Sequence, residues 1–271
     1  MSEVSVDEYG AVADLYDYVV PYRNRADVAF FVDEAVTSRG PVLEIGCGTG
    51  RVLIPTARAG LEIVGLDSSP GMLDECSRRL RAEPSAVQEK VTLVPADMRR
   101  FDLGRTFALI TIPFRPFQHL LTVEDELSCL ESVRRHLADD GRFIFDVFNP
   151  SLDALATQKL GDEIDPQEGE FTTADGRRVE RRFVIVAADR FAQINDIELV
   201  YYVTHPDGRT ERLVHAFRMR YLFRFEVEHL LARAGFVVEH LYAGYDRSAY
   251  GSTYPGELVF VARKDTSSRT R

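Results

Sequence analysis

The sequence predicts a doubly wound α/β fold, a mostly parallel sheet with helices on both faces, and three observations predict it. Short apolar runs recur at residues 42–45, 63–66, 91–94, 107–112 and 142–147, with helical stretches between them. Parallel strands buried on both faces read as such near-continuous runs, and crossover helices join them. A glycine turn, Gly46-Cys47-Gly48-Thr49-Gly50, follows the first run at the sheet edge where open α/β folds bind ligands.

Ahead of the sheet, residues 7–38 read as two helices: Val12, Leu15, Tyr16, Val19 and Val20 recur at helical spacing until Pro21 breaks the run, and residues 26–35 resume it. The first helix of the sheet is expected to start at Gly48-Thr49-Gly50. Ser69-Pro70 opens the second with an N-cap serine and a proline in the first turn, and residues 123–137 form an amphipathic third. After Asn149-Pro150, residues 161–178 turn polar and acidic, and 179–186, 192–204 and 212–223 read as strands. His205-Pro206-Asp207-Gly208 is the turn between two of them. A helix over 224–234 ends at Gly235, and strands over 236–241 and 258–262 close the sheet. The expected organisation is an N-terminal helical lid (1–40), a core (41–150), an antiparallel β insertion serving as substrate cover or dimer interface (151–222), the rest of the core sheet (223–264) and a flexible tail (265–271).

The 271 residues, 45% apolar and 28% charged, suit one globular core with an elaboration. A net charge of −10 disfavours nucleic acid as a partner, because phosphate backbones are held by clustered Lys and Arg. Cys47, Cys76 and Cys129 suggest neither a disulfide framework nor a thiolate metal cage, and no His/Cys/Asp cluster has metal-ligand spacing, so no metal is expected. Residues 1–8 carry no signal-like apolar segment, and no apolar run approaches the roughly 20 residues of a membrane span. A cytoplasmic protein without membrane contact is expected, with room for a homodimer through the insertion.

The turn carries G-x-G-x-G, matching neither the G-x-G-x-x-G dinucleotide fingerprint nor the phosphate loop. Its glycines let a ligand approach the backbone, and Glu44, leading into it, suits a ligand bearing ammonium or sulfonium charge rather than a pyrophosphate. Asp67, at the end of the second strand in Gly65-Leu66-Asp67-Ser68-Ser69, stands where a carboxylate receives a ribose diol. Asp97, in Ala96-Asp97-Met98, is placed to accept from an adenine amino group. Each acid alone reads equally well as a helix cap or a solvated loop residue; on successive strand ends they read as one site.

Together these motifs resemble the class I S-adenosylmethionine-dependent methyltransferases, over nearly the whole chain from Tyr9 to Arg263. The resemblance implies a Rossmann-like, doubly wound, mostly parallel seven-stranded sheet, with the glycine turn (Glu44, Gly46, Cys47, Gly48, Gly50) holding the methionine portion of S-adenosylmethionine. It implies that Asp67 with Ser68 binds the ribose, that Asp97 meets the adenine amine, and that Met72 and Met98 flank the adenine, a core role being the alternative for both methionines. S-adenosylhomocysteine would be the product. Tyr16-Asp17, Gln118-His119-Leu120 and the insertion resemble the small-molecule branch, amino-sugar N,N-dimethyltransferases and glycine N-methyltransferases among them. The N/D-P-P-Y/F motif of nucleic-acid amino-methyltransferases is absent, since the segment after the fourth strand reads Thr111-Ile112-Pro113-Phe114-Arg115-Pro116-Phe117.

Methyl transfer from a sulfonium is an in-line displacement, so the protein must align a nucleophile and exclude water. His119 is the candidate base and Tyr16 its candidate companion, with capping of the helix that starts near Thr122 as the alternative for His119. Tyr9, Tyr16 and Tyr22 would form an aromatic lid that meets a substrate cation with ring faces, a hydrophobic staple to the core being the alternative for Tyr16. His205 and His215 read as plain surface or strand residues, with a place facing substrate as the alternative, and His136, His229 and His240 as structural ones. Arg115 and Arg218 are candidates for a substrate carboxylate or phosphate, with ordinary salt bridges as the alternative. Cys47 reads as a space-filler rather than a nucleophile. An NAD-dependent oxidoreductase, disfavoured by the glycine spacing, and a non-catalytic S-adenosylmethionine-binding protein are the competing functions.

Overall fold

The computed structural model describes residues 9–19, 25–165 and 169–266. Val20, Pro21, Tyr22 and the tail after residue 266 lie outside the described residues.

Seven strands form the main sheet: β1 (Val42–Ile45), β2 (Ile63–Asp67), β3 (Val91–Pro95), β4 (Phe107–Ile112), β5 (Leu137–Phe148), β10 (Phe236–Tyr242) and β11 (Glu257–Lys264). Their order is β10-β11-β5-β4-β1-β2-β3. β3, β2, β1, β4 and β5 are mutually parallel, and β11 runs antiparallel to both β5 and β10. The chain winds outward from β1 to β3 and then returns to β4, so the topological switch point lies between β1 and β4, where such sheets open a ligand crevice.

Alternating side chains divide the core between the two faces of the sheet. Leu43, Ile45, Ile110, Ile112, Phe143 and Phe145 pack on one face under α6 (Val123–His136) and α8 (Arg224–Arg233). Val42, Leu109, Ile144, Val259 and Val261 pack on the other against α2 (Asp27–Ser38), α3 (Leu53–Arg58) and α4 (Pro70–Leu80). The helix signals act locally as their chemistry requires. Ser69 Oγ accepts the Met72 N–H at 3.1 Å with Pro70 in the first turn. Gly235 takes φ 78° just past α8. α3 starts at Leu53 rather than at the glycine turn, although Gly50 already supplies the first helical acceptor, to Ile54 N–H at 3.0 Å.

The insertion is a separate four-stranded antiparallel sheet of β6 (Phe171–Thr172), β7 (Arg178–Asp189), β8 (Ile194–Thr204) and β9 (Thr210–Arg220). β9 begins and ends earlier than its apolar pattern suggests, because the tight turn at His205–Arg209 brings Thr204 opposite Thr210. Its inner face buries Val179, Leu199, Tyr201 and Val203 against Val12, Leu15 and Val19 of the N-terminal segment. That segment forms a single α-helical turn, α1 (Ala13–Tyr16), after a 3-10 turn at Gly10–Val12, a shorter helix than the periodicity suggests. No helix of the described residues is long and apolar enough to cross a membrane.

Candidate active site

A cavity of about 650 Å³ opens at the switch point, within the size range of small-molecule sites. Of the residues singled out in the sequence, Tyr16, Glu44, Gly46, Cys47, Gly48, Asp67, Ser68, Met72, Asp97, Met98 and His119 line it, and so does Arg218. Gly50 does not: its absent Cβ would meet Cys76 Sγ at 2.7 Å, so this glycine lets the turn pack on α4. Gly48 is the open rung of the cradle, half-buried, with φ 52° and no neighbour where a Cβ would project.

Asp67 ties the two strand ends together. Its Oδ2 accepts the Gly48 N–H at 2.8 Å and its Oδ1 the Ser69 N–H at 2.9 Å. The turn is braced from the N-terminal side as well, since Asp17 accepts from Thr49 Oγ1 at 3.1 Å and is ion-paired with Arg79. Asp97 sits at the rim, where the Arg99 guanidinium holds it at 2.5 and 2.9 Å and also reaches Asp125 at 3.3 Å.

Glu44 is buried with Oε2 unpartnered among the described residues, and burial pushes its carboxyl up to about 8. Burial likewise raises Glu126 to about 7. Both values lie above those of the unfolded chain, so the stability they contribute is complete below about pH 4.3 and is lost as pH rises through 7 to 8. Denaturant midpoints of the ligand-free protein should therefore fall over that interval, by up to about 1.4 kcal/mol per pH unit for each proton retained. Glu44→Gln should flatten the slope; a flat wild-type curve would contradict the assignment.

Opposite the glycine turn, three chain segments meet at one tyrosine. Tyr9 Oη lies 2.9 Å from His119 Nε2, and its ring packs 4.2 Å, centroid to centroid, from His215 of β9. His119 also hydrogen-bonds the Arg218 backbone; with its N–H given to that carbonyl, Nε2 is the acceptor for the Tyr9 hydroxyl. Burial lowers His119 to about 4, so the ring is neutral at physiological pH. It caps no helix, because Thr122 Oγ1 caps α6 by accepting the Asp125 N–H at 3.1 Å.

His215 corrects its sequence reading. It is a strand residue, on β9, but not a surface one: it is 1% exposed against Tyr9, with neither ring nitrogen partnered among the described residues. An unsatisfied buried polar group costs about 1–3 kcal/mol. His215→Phe should accordingly raise the melting temperature by several degrees, read by calorimetry, and an equal fall would show that the nitrogens are satisfied.

The segment after β4 supplies a feature with no sequence signal. Phe114 and Arg115 both adopt left-handed backbone, φ 69° and 74°, at a cost of roughly 1–3 kcal/mol each. The Phe114 N–H donates to Asp146 Oδ1 at 2.7 Å, and Arg25 and Arg51 stack over its ring at 5.0 and 4.6 Å. Arg115 is held by Glu257 at 2.7 and 2.9 Å and does not line the cavity, whereas Phe114 does. Asp146, fully buried and raised to about 6 by burial, also accepts the Tyr245 hydroxyl at 2.9 Å. Asp146→Ala should destabilise the fold by about 2–5 kcal/mol, because two partly buried donors lose their buried acceptor. A denaturation midpoint within error of wild type would refute that role.

The remaining predicted residues lie in structural roles or on the surface. His136 is buried between Leu103 N–H at 3.0 Å and the Ser132 carbonyl at 2.8 Å. His205 pairs with Glu211 in the turn, and Arg218 with Asp196 at 2.9 Å. Burial holds the Cys47 thiol well above its usual range, which leaves it unreactive.

A methyltransferase domain model matches residues 42–141, the part of the chain that carries the turn, Asp67 and Asp97. The dTDP-3-amino-3,6-dideoxy-alpha-D-glucopyranose N,N-dimethyltransferase of Streptomyces fradiae is 28% identical over 92% of this chain and 93% of its own length. The CcbJ methyltransferase of Streptomyces caelestis superposes with a TM-score of 0.72 at 23% identity, covering 95% of this chain and 98% of that one. CalS10 of Micromonospora echinaspora, an amino pentose methyltransferase solved with S-adenosylmethionine bound, superposes with a TM-score of 0.67 at 22% identity over 92% and 96%. Residues 42–141 are thus a methyltransferase domain, and the chain is an S-adenosylmethionine-dependent methyltransferase with the Rossmann-like fold of these neighbours. The chain is similar over its length to methyltransferases that act on small molecules, and S-adenosylmethionine is its cofactor.

The cavity fits that cofactor on its own geometry. Gly48 leaves open space where a ligand would approach, Glu44 keeps one buried oxygen without a partner among the described residues, and the Gly48 and Ser69 N–H groups fix Asp67 in the cavity wall.

Proposed function

We propose that this enzyme methylates the amino group of a small amine, with amino sugars as the favoured class. The observation that carries the reading is the Tyr9–His119 hydrogen bond inside the same cavity as the glycine turn. S-adenosylmethionine, when bound, supplies the electrophilic methyl group. Gly46, Gly48, Glu44 and Asp67 fix its two ends, with Asp97 meeting the adenine amine in competition with Arg99. On the facing side, Tyr9, Tyr16 and Phe114 offer ring faces to a cationic amine. His119, neutral and a fixed acceptor, orients the Tyr9 hydroxyl, whose oxygen accepts an N–H hydrogen bond from the neutral form of the acceptor amine and holds the nitrogen lone pair toward the methyl carbon. Alignment and exclusion of water then account for most of the rate. The relative from Streptomyces fradiae is named for methylating an amino sugar, which supports the same acceptor class here. Three free, buried cysteines support a reducing, cytoplasmic setting.

Incubation with S-adenosylmethionine and a panel of amino sugars, their hydroxyl analogues and simple amines tests the reading by mass spectrometry. Methylated amino sugars together with S-adenosylhomocysteine are expected. Methylation confined to hydroxyl acceptors would overturn the nitrogen assignment.

A further inference from the structure

Glu44 forms part of the cavity wall at the end of β1, and its Oε2 has no partner among the described residues. The groups facing it come from every neighbouring element: Arg51 ahead of α3, Asp27 of α2, Asp67 of β2, Cys47 of the turn and Cys76 of α4. Arg51, the one cation among them, is already committed to Asp27 through two hydrogen bonds of 2.8 and 2.6 Å. Both thiols are held neutral by burial, Cys76 being pushed up to about 12. An ionised Glu44 would therefore be a buried charge offset only in part, by Arg51 shared with Asp27 and by the Leu53 backbone N–H, and proteins relieve such a state by neutralising the group. Its carboxyl, at about 8, is accordingly in the acid form at neutral pH. A ligand that brings positive charge to this wall removes the reason for the proton.

We propose that Glu44 gives up its proton to solvent when the cofactor binds and recovers it after methyl transfer, and so distinguishes the sulfonium cofactor from its neutral thioether product. The inference rests on S-adenosylmethionine occupying this cavity. On binding, the Glu44 O–H bond breaks, the proton passes to buffer and the carboxylate stays beside the ammonium and sulfonium charges. Methyl transfer carries the positive charge from sulfur to the acceptor nitrogen. Glu44 then faces one cation fewer, and a proton returns from solvent, which favours product release.

Titration calorimetry of the full chain at pH 7, in phosphate and in Tris, reads the proton directly, because the two buffers differ widely in ionisation enthalpy. S-adenosylmethionine should release close to one proton per site, about 0.9 for a group titrating near 8, and S-adenosylhomocysteine half of that or less. Glu44→Gln should bind both with heats independent of buffer, and its preference for the sulfonium should fall at least fivefold. Wild-type protein alone gives a second measure: its affinity for S-adenosylmethionine should tighten close to tenfold from pH 6 to pH 7 and level off above pH 8. Measurable binding with equal heats in both buffers, or a proton count unchanged in Glu44→Gln, would overturn the proposal. No heat at all with S-adenosylmethionine would instead overturn the occupancy of the cavity, so the two failures are distinct.

Discussion

Asp67→Ala should weaken S-adenosylmethionine binding by about 30- to 1,000-fold, the loss of two charge-assisted hydrogen bonds worth about 1.5–3 kcal/mol each, offset in part by solvent. Loss of binding has two sources. Removal of the carboxylate takes away the acceptors for a ribose diol, and it frees the Gly48 and Ser69 N–H groups that Asp67 holds at 2.8 and 2.9 Å. Asp67→Asn separates them, because its carbonyl oxygen retains one backbone contact while the negative charge is gone; its affinity should fall between the other two. Equal affinities for wild type and Asp67→Ala, by calorimetry on folded protein, would remove Asp67 from the site.

The second large effect should appear in turnover rather than binding. Tyr9→Phe and His119→Ala should each lower kcat by about 10- to 100-fold with little change in cofactor affinity, at the lower end of what positioned proton-handling groups contribute. Combining them should cost little more than either alone, since the two residues share one hydrogen bond. The pH profile carries a sign as well. With His119 lowered to about 4 by burial, no loss of kcat attributable to it should occur between pH 5.5 and 8. A kcat limb near pH 6.5 that disappears in His119→Ala would show a solvent-coupled imidazole and refute the buried, neutral one.

The strand runs and helix signals were legible because they are local. The continuous apolar runs of β1, β2 and β4 report burial on both faces, and Ser69-Pro70 carries its cap within four residues of sequence. The cofactor side of the site was legible for a related reason: its residues follow strands that end along one edge, so order along the chain maps onto position in space. The acceptor side has no such rule. Tyr9 and His119 are 110 residues apart, and His215 reaches Tyr9 only because β9 turns that face inward over Val12 and Leu15. Tyr9 was read for its ring, and nothing local signalled the bond of its hydroxyl to His119. The left-handed Phe114-Arg115 pair lacks the glycine or asparagine that usually marks such backbone, since buried Asp146 and the Glu257 pair hold it from outside the segment. Gly50 matched the glycine pattern yet faces Cys76, because spacing does not distinguish a ligand cradle from close packing.

A crystal structure with S-adenosylmethionine bound tests the central claim most directly. The account predicts the ribose hydroxyls within hydrogen-bond distance of both Asp67 oxygens, the methionine ammonium and sulfur on the Glu44 side of the Gly46–Gly48 turn, and the methyl carbon pointing toward Tyr9. A nucleoside bound elsewhere, or one whose sugar leaves Asp67 untouched, would contradict it.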